Sequence, residues 1–228
     1  MNSLEVVIAQ ILNNEVFLIT QPDEAHDINH CIEVTNNAKK CFASLGLSED
    51  EENDILVSCM LHDVDDKKVI RGRWESDYWT KYVLEKIEYK RQEIVLDIIN
   101  LVSCSKWGDR FDYSKPLYYY ITRYCDRLEA IGEIGVSRCI SYNKEVMVKE
   151  STLRANSLQS LIEIASPERY ELYSTGKVLS GSVIEHCYDK LLHINLPSSF
   201  NDIPFLKNEF ESRHNYIVEF VLSYWSSC

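Results

Sequence analysis

The chain has 228 residues, of which 45% are apolar and 26% are charged, an ordinary balance for a soluble globular protein. Its 24 Lys and Arg residues against 36 Asp and Glu residues give a formal net charge of −12, which argues against a general nucleic-acid binder and against adhesion to anionic membranes. The low content of Gly and Pro, 7 and 5 residues, excludes collagen-like and low-complexity chains.

Apolar residues recur every three or four positions along most of the chain, which predicts helices. The first clear series runs from Ile32 to Leu45 and stops at Gly46. Ser48 followed by Glu51 has the pattern of a capping box for the next helix. Further along, the sequence predicts helices at 76–88 and 91–104, a loop at 105–115, and a helix from Pro116 to about Cys139.

The C-terminal part has two more helical patterns, the second of them at 202–225, while 140–180 alternates short apolar pieces with Ser, Thr and Glu. We predict an all-α protein with a single domain over 1–228. Its core is expected to come from about 20–139 and 180–225, with 140–180 as an irregular insertion or cap. The helix at 202–225 either packs internally or forms a seam between two copies, so a monomer or a homodimer is expected.

Eight cysteines are spread along the chain without a CxxC pair and without zinc-finger spacing. The N-terminal segment carries Glu5 within its apolar stretch and has no basic start, unlike a signal peptide. No apolar run approaches the ~20 residues that a membrane span requires. We therefore expect an intracellular, cytoplasmic protein with reduced thiols and no membrane partner.

Two histidines lie on stripes that are expected to face the protein interior. His30 precedes Val34 by four residues on the apolar stripe of its helix. His62 lies on the stripe of the following helix and is followed directly by Asp63, where the chain turns polar. A third helix carries Asp126 among apolar residues, and an inward carboxylate is costly unless it is paired or binds a metal.

Two imidazoles and two carboxylates from three helices would offset the cost of burying these carboxylates if together they bound one metal ion. Such a donor set suits Mn²⁺, Fe²⁺, Co²⁺, Ni²⁺ or Mg²⁺, and the lack of thiolates argues against a structural zinc. Each residue also has a plain structural interpretation. The histidines would be hydrogen-bonded core residues, Asp63 would cap a helix end, and Asp126 with Arg127 would belong to a buried ion pair.

The order of these residues resembles that of a known family. The chain has AHDINH at 25–30, LHDVDDKK at 61–68 and DRLEAIGEIGVSR at 126–138. A later segment, from His186 to Leu192, has the pattern His-x-x-x-Lys-Leu-Leu. Over nearly its whole length the chain resembles the HD superfamily of metal-dependent phosphohydrolases, and within it a branch of small bacterial-type hydrolases.

The resemblance implies an HD-domain helical bundle around one divalent ion, with Mn²⁺ expected first and Mg²⁺, Fe²⁺, Co²⁺ or Ni²⁺ as alternatives. The ligands that it implies are His30, His62, Asp63 and Asp126. It also implies hydrolysis of phosphoester or phosphoanhydride bonds in a small phosphorylated molecule. Because the branch includes nucleotide pyrophosphohydrolases, a nucleoside triphosphate is the leading expectation, and a nucleic-acid polymer is not expected as a partner.

Two acidic residues near these ligands have two interpretations each. Asp66 follows Asp63 by three residues, and from one helix face it would accept a proton from a nucleophilic water; the alternative is a solvated charge cluster that includes Asp65. Asp27 either orients a ligand histidine from behind or caps the helix that contains His30. We assign both Asp66 and Asp27 catalytic roles.

Five further residues are assigned to binding of an anionic substrate: His26, Lys67, Arg127, His186 and Lys190. His186 and Lys190 are four residues apart, so on one helix they would face the same way. The plain alternatives are a loop histidine for His26 and an ordinary helix surface for the pair at 186 and 190.

The chain departs from the family pattern at two positions. Three residues after the first ligand histidine the family often has Arg, and this chain has Glu33. Before Ser103 the family commonly has His, and this chain has Val102. Loss of a cation and an imidazole near a phosphate site supports an alternative function, a catalytically silent nucleotide-binding regulatory protein.

Overall fold

The computed structural model describes residues 3–22, 26–66, 76–108, 110–142, 153–178 and 180–226. Within these ranges the chain is helical and has no strand, which confirms the predicted all-α class. The α-helices are α1 (Ser3–Thr20), α2 (Ile28–Lys39), α3 (Glu49–Leu61), α4 (Tyr78–Lys86), α5 (Gln92–Val102), α6 (Cys104–Trp107), α7 (Ile121–Glu129), α8 (Gly132–Tyr142), α9 (Leu158–Ile164), α10 (Pro167–Ser174), α11 (Val183–Asp189) and α12 (Pro204–Ser226). Short 3₁₀ turns occupy Phe42–Ser44, Leu117–Tyr120, Leu191–His193 and Ser198–Phe200.

The chain divides into two compact units, Met1–Asp126 and Arg127–Cys228. In the first unit, helices α1 to α5 surround a core of buried apolar side chains, and α3 packs against α1, α2 and α5. The members of this core are Ile8, Leu12, Val16, Cys31, Val57, Met60, Leu61, Val64, Trp79, Val83, Leu84 and Val95. The single domain over 1–228 stays a prediction.

Helix α1 buries one stripe along its whole length, formed by Glu5, Ile8, Leu12, Val16 and Thr20. A spacing of four residues drifts around a regular α-helix by about 40° per step. A π-helical turn, over Leu12–Val16, is wider than an α turn and keeps the later members on the same side. Buried Glu5 is neutralised by an ion pair with the Lys39 side chain, at 2.7 Å.

The described residues include one helix that is long and apolar enough to cross a membrane, and it is the 18-residue α1. The sequence analysis expected no such stretch. A helix that packs on a protein core meets the same criterion, and 33% of the residues of α1 are buried in the fold.

Local signals set the starts of α2 and α3 as predicted. The Ser48 side chain accepts from the backbone of Glu51, and the Glu51 carboxylate accepts from the backbone of Ser48, so the predicted capping box is confirmed. The helix predicted to run to Leu45 is shorter: α2 ends at Lys39, and a 3₁₀ turn leads to Gly46, whose φ is +61°.

The continuous helix predicted from Pro116 to Cys139 is wrong in one respect, because it breaks into three parts. Pro116 precedes a 3₁₀ turn, α7 follows, and α8 begins at Gly132 after a turn. Gly132 has φ +74°, and a Cβ there would lie 2.9 Å from Cβ of Arg213. The break thus requires a residue that tolerates the left-handed region and leaves room for α12.

In the second unit, α12 packs against α8, α9 and α11. Tyr188 is fully buried; its hydroxyl donates to the carbonyl of Leu153 and accepts from the indole of Trp225. The described part of 140–180 is not irregular, because it contains the short helices α9 and α10. Ser157 and Ser166 cap these helices, a local signal that the weak apolar pattern did not reveal.

Candidate metal centre

The start of α2 fixes the position of His30. Asp27 has an extended backbone, and its Oδ1 accepts hydrogen bonds from the N–H groups of Asn29, at 2.9 Å, and His30, at 3.1 Å. Asp27 is therefore the N-cap of α2, as one of its two interpretations held. His30 lies in the first turn and is only 8% exposed. The catalytic assignment of Asp27 stays a prediction.

The end of α3 fixes the orientation of His62. Its Nδ1 lies 2.9 Å from the carbonyl oxygen of Cys59, one turn earlier. Because a carbonyl oxygen only accepts, Nδ1 carries the proton, and in the neutral ring Nε2 presents a lone pair. Within the described parts of the chain, Nε2 of His62 and Nε2 of His30 are buried without a hydrogen-bond partner.

Two carboxylates face these imidazole nitrogens. Oδ2 of Asp63 lies 3.4 Å from Nε2 of His30 and 3.2 Å from Nε2 of His62. Oδ1 of Asp126 lies 3.3 Å and 3.6 Å from the same two nitrogens. One donor atom each from His30, His62 and Asp126 lies within 4.8 Å of the others. The structure thus brings together the four residues that the resemblance implies as ligands.

The spacing of these atoms suits ligands of one ion better than a set of hydrogen bonds. Nitrogen and oxygen ligands lie about 2.0–2.2 Å from a small divalent ion, so neighbouring ligands are about 2.8–3.6 Å apart in octahedral or tetrahedral coordination. The four N···O distances, from 3.2 to 3.6 Å, lie within this range. They are long for hydrogen bonds. This cluster can hold a metal ion.

The two carboxylates of the cluster stabilise positive charge on the two imidazole rings. Burial disfavours a charged imidazole, but the carboxylates of Asp126 and Asp63 outweigh it and raise the pKa of His30. Burial also lowers the pKa of His62, yet the charges of Asp63 and Asp126 raise it well above the usual value. Burial alone would raise the pKa of both carboxyl groups. The two imidazoles outweigh this effect and keep the pKa of Asp63 and of Asp126 low.

Buried thiols lie in the same part of the first unit, but among the described residues the group that could hold an ion contains no cysteine. Burial raises the pKa of Cys31 and of Cys59 to about 12, and that of Cys125 well above its usual value. These thiols are therefore neutral near pH 7. Their role is packing, as the sequence analysis expected for several cysteines.

The acidic residues after Asp63 divide into two environments. The Asp65 carboxylate accepts from the backbone N–H groups of Trp79, at 3.0 Å, and Thr80, at 2.8 Å, so it caps the first turn of α4. It is not part of a solvated charge cluster. The Asp66 N–H donates to the Asp63 carbonyl at 3.0 Å in a tight turn that follows the end of α3. The turn brings the backbone of Asp66 close to that of Asp63.

The residues assigned to substrate binding in or next to the first unit remain predictions. Lys67 lies outside the described residues. His26 is half-buried in the bend before Asp27. Arg127, the first residue of the second unit, is only 3% exposed and is therefore a buried cation rather than a surface one.

His186 and Lys190 belong to the second unit, where α11 ends at Asp189. Lys190 is the C-cap residue, with φ −135°, so the two do not share a continuous helix as the spacing suggested. Burial and the charge of Lys190 lower the pKa of His186 to about 4, which makes the ring neutral at pH 7. A contact of His186 with an anion would therefore be a hydrogen bond without charge.

A hydrogen-bond network that the sequence did not predict lies beside His186. The Ser180 hydroxyl donates to Oδ2 of fully buried Asp189 at 2.6 Å, and the Arg169 guanidinium pairs with the same carboxylate. Since the Ser180 proton is used in this way, Ser180 Oγ accepts from Nδ1 of His186 at 3.4 Å. The only sequence signal is an Asp within an apolar run, and its partners lie 9 and 20 residues away.

Comparison with known proteins gave one related sequence and several similar structures. The uncharacterized protein L803 of Acanthamoeba polyphaga mimivirus is 34% identical over 218 residues, which cover 87% of this chain and 88% of that protein. No model of a known protein family matches the chain.

The structural likeness covers essentially the whole chain. A Lactobacillus plantarum protein has a TM-score of 0.68 at 19% identity, over 100% of this chain and 97% of its own. Bacillus subtilis YpgQ in complex with ADP has a TM-score of 0.63 at 16% identity, and the likeness covers 99% of this chain and 97% of YpgQ. An HD-superfamily hydrolase from Bacillus thuringiensis has a TM-score of 0.59 at 20% identity, and the likeness covers 98% of this chain and 95% of that protein.

These structures share the all-α fold, and the chain carries the ordered His and Asp residues at one place in that fold. The chain therefore belongs to the family of the mimivirus protein L803, and it has the same fold as an HD-superfamily hydrolase.

Proposed function

We propose that the protein is a metal-dependent phosphohydrolase that acts on nucleotides or related small phosphate compounds. The observation that carries the proposal is the arrangement of two buried imidazole nitrogens and two carboxylates at separations of 3.2 to 3.6 Å. Likeness to an HD-superfamily hydrolase and to a protein in complex with ADP supports it.

His30, His62, Asp63 and Asp126 would hold one divalent ion, with Mn²⁺ as our first choice. An ion bound there lowers the pKa of a coordinated water and neutralises charge on a phosphate oxygen. Asp27 would hold His30 in place by capping the start of α2. The Asp63 carbonyl would also accept the hydrogen bond that forms the turn leading to Asp66.

Asp66 would accept the proton of the attacking water, and the backbone hydrogen bond that holds it one turn from Asp63 supports this role. His26, Lys67, Arg127 and Lys190 would donate to phosphate oxygens, and neutral His186 would donate its Nδ1 proton to one in place of Ser180 Oγ. We propose a nucleoside triphosphate as the substrate, with cleavage to a nucleoside monophosphate and pyrophosphate.

The direct test combines metal analysis with a panel of nucleotides and small phosphate compounds, each assayed with Mn²⁺, Mg²⁺, Co²⁺, Ni²⁺ and Fe²⁺. Product identification separates pyrophosphate release from phosphate release. Asp63→Ala should lose bound metal and lower turnover by about 100-fold or more. Glu93→Gln, which changes an exposed carboxylate of the same unit, should alter neither. Activity that persists in Asp63→Ala without metal would refute the proposal.

A catalytically silent nucleotide-binding regulatory protein is the second candidate, and two residues favour it. Glu33 is an exposed carboxylate one turn after His30, and Val102 is a buried apolar side chain where the family commonly has His. Equilibrium binding of a nucleotide in the presence of Mn²⁺, without release of phosphate or pyrophosphate, would support this candidate and exclude the hydrolase.

A further inference from the structure

One face of α1 carries a concentration of exposed apolar side chains. The described residues contain 13 large hydrophobic residues that are exposed, and four of them lie on this helix of 18 residues. They are Val6 and Val7, 41% and 44% exposed, and Leu18 and Ile19, 69% and 50% exposed. The opposite side of the helix packs on the core of the first unit, so this face points to solvent.

The exposed face has a symmetric pattern along the helix. Val6 and Val7 lie near one end and Leu18 and Ile19 near the other, with the exposed side chains of Gln10, Asn13 and Asn14 between them. The point midway between the two apolar pairs falls at residues 12–13, within the group of amides. A two-fold axis at that point would bring each apolar pair onto the other pair and the amides onto one another.

We propose that this face of α1 binds the same face of a second copy, with the two helices antiparallel about a two-fold axis near Asn13. In this register Val7 of one copy lies opposite Leu18 of the other, and Val6 lies opposite Ile19. The central amide groups would donate to and accept from each other across the axis.

Charge favours a second copy over other occupants. The chain has a net charge of −12, so two copies can meet closely only through a face without net charge. The exposed residues of α1 are uncharged, and Glu15 at the edge is bound by Lys86 and Tyr82. A helix that lies on a membrane surface is typically rich in Lys and Arg on its polar side. Residues 3–22 contain neither.

Analytical ultracentrifugation of the full chain over a range of concentrations tests the proposal. The wild type should sediment as a dimer, and both Val7→Lys and Leu18→Glu should weaken dimerisation by about 30-fold or more, because each places a charge in the apolar part of the interface. Ile162→Lys, which changes a residue 57% exposed on α9, is the matched control and should leave dimerisation unchanged.

Mixing the two variants distinguishes the proposed register from others. A mixed pair of Val7→Lys and Leu18→Glu chains places the new Lys opposite the new Glu at one contact and leaves Val7 opposite Leu18 at the other. The mixture should therefore recover a heterodimer that neither variant forms alone. Thermal unfolding of each variant checks that it is folded. A monomeric wild type, a dimer that both substitutions leave intact, or a monomer that binds phosphatidylcholine vesicles through α1 would overturn the proposal.

Discussion

Acid should weaken the second unit through His186, because this imidazole is neutral in the folded chain. Burial and the Lys190 charge lower its pKa from 6.5 to about 4. The unfolded chain takes up this proton below about pH 6.5 and the folded chain only below about pH 4, so stability is lost as the pH falls between these values. The difference corresponds to roughly 3 kcal/mol, of which about 2 kcal/mol is reached at pH 5.

Urea unfolding at pH 7.5 and at pH 5.0 measures this contribution. His186→Gln removes the titrating group and keeps an amide N–H that can donate to Ser180, so it is the reference for the wild type. Between the two pH values the wild type should lose about 2 kcal/mol more than His186→Gln. Equal losses in the two proteins would show that the folded imidazole is protonated as readily as the unfolded one, and would refute the reasoning.

Three substitutions test other parts of the structure. Gly135→Ala would place a Cβ 2.2 Å from the carbonyl oxygen of Ala130, so the backbone must shift, and calorimetry should show a loss of roughly 3 kcal/mol; a loss below about 1 kcal/mol would contradict this contact. Arg91→Leu leaves the fully buried Asp54 carboxylate without the guanidinium that binds both of its oxygens. Denaturant unfolding should show a loss of stability of about 3–5 kcal/mol, and the double variant Arg91→Leu with Asp54→Asn should recover part of that loss. Glu33→Arg replaces an exposed carboxylate one turn after the first ligand histidine by a cation, and kcat/KM for a phosphate substrate should rise about 3- to 10-fold at low salt, with a smaller gain at high salt. An effect that salt does not change would show that the residue does not act through its charge.

The helices were predictable where their boundaries depend on local contacts. The capping box of Ser48 and Glu51 joins residues three positions apart, so the sequence contains the whole signal. The break before α8 was not predictable in the same way, because it depends on packing of Gly132 against Arg213, 81 positions later in the chain. Apolar periodicity continues through such a break and conceals it.

The residues of the candidate metal centre were predictable as a group, because apolar periodicity shows which side of a helix faces inward and because four ordered motifs resemble one family; their role as metal ligands stays a prediction. The contacts of the residues around this cluster were harder to predict from the sequence. Asp65 looked like one charge in a solvated cluster, yet it caps α4 through N–H groups 14 and 15 positions later. Capping across such a distance leaves no local pattern, since the acceptor and the donors are adjacent only in the fold.

Both histidines of the candidate metal centre lie at helix termini, and contacts at these termini hold them in place. Asp27 fixes the backbone of His30 at the start of α2, and the Cys59 carbonyl fixes the ring of His62 at the end of α3. Neither contact uses the nitrogen that faces Asp63 and Asp126, so both Nε2 atoms are left for an ion. The helix ends therefore orient the donors before any ion binds, and little conformational entropy remains to be lost when one does.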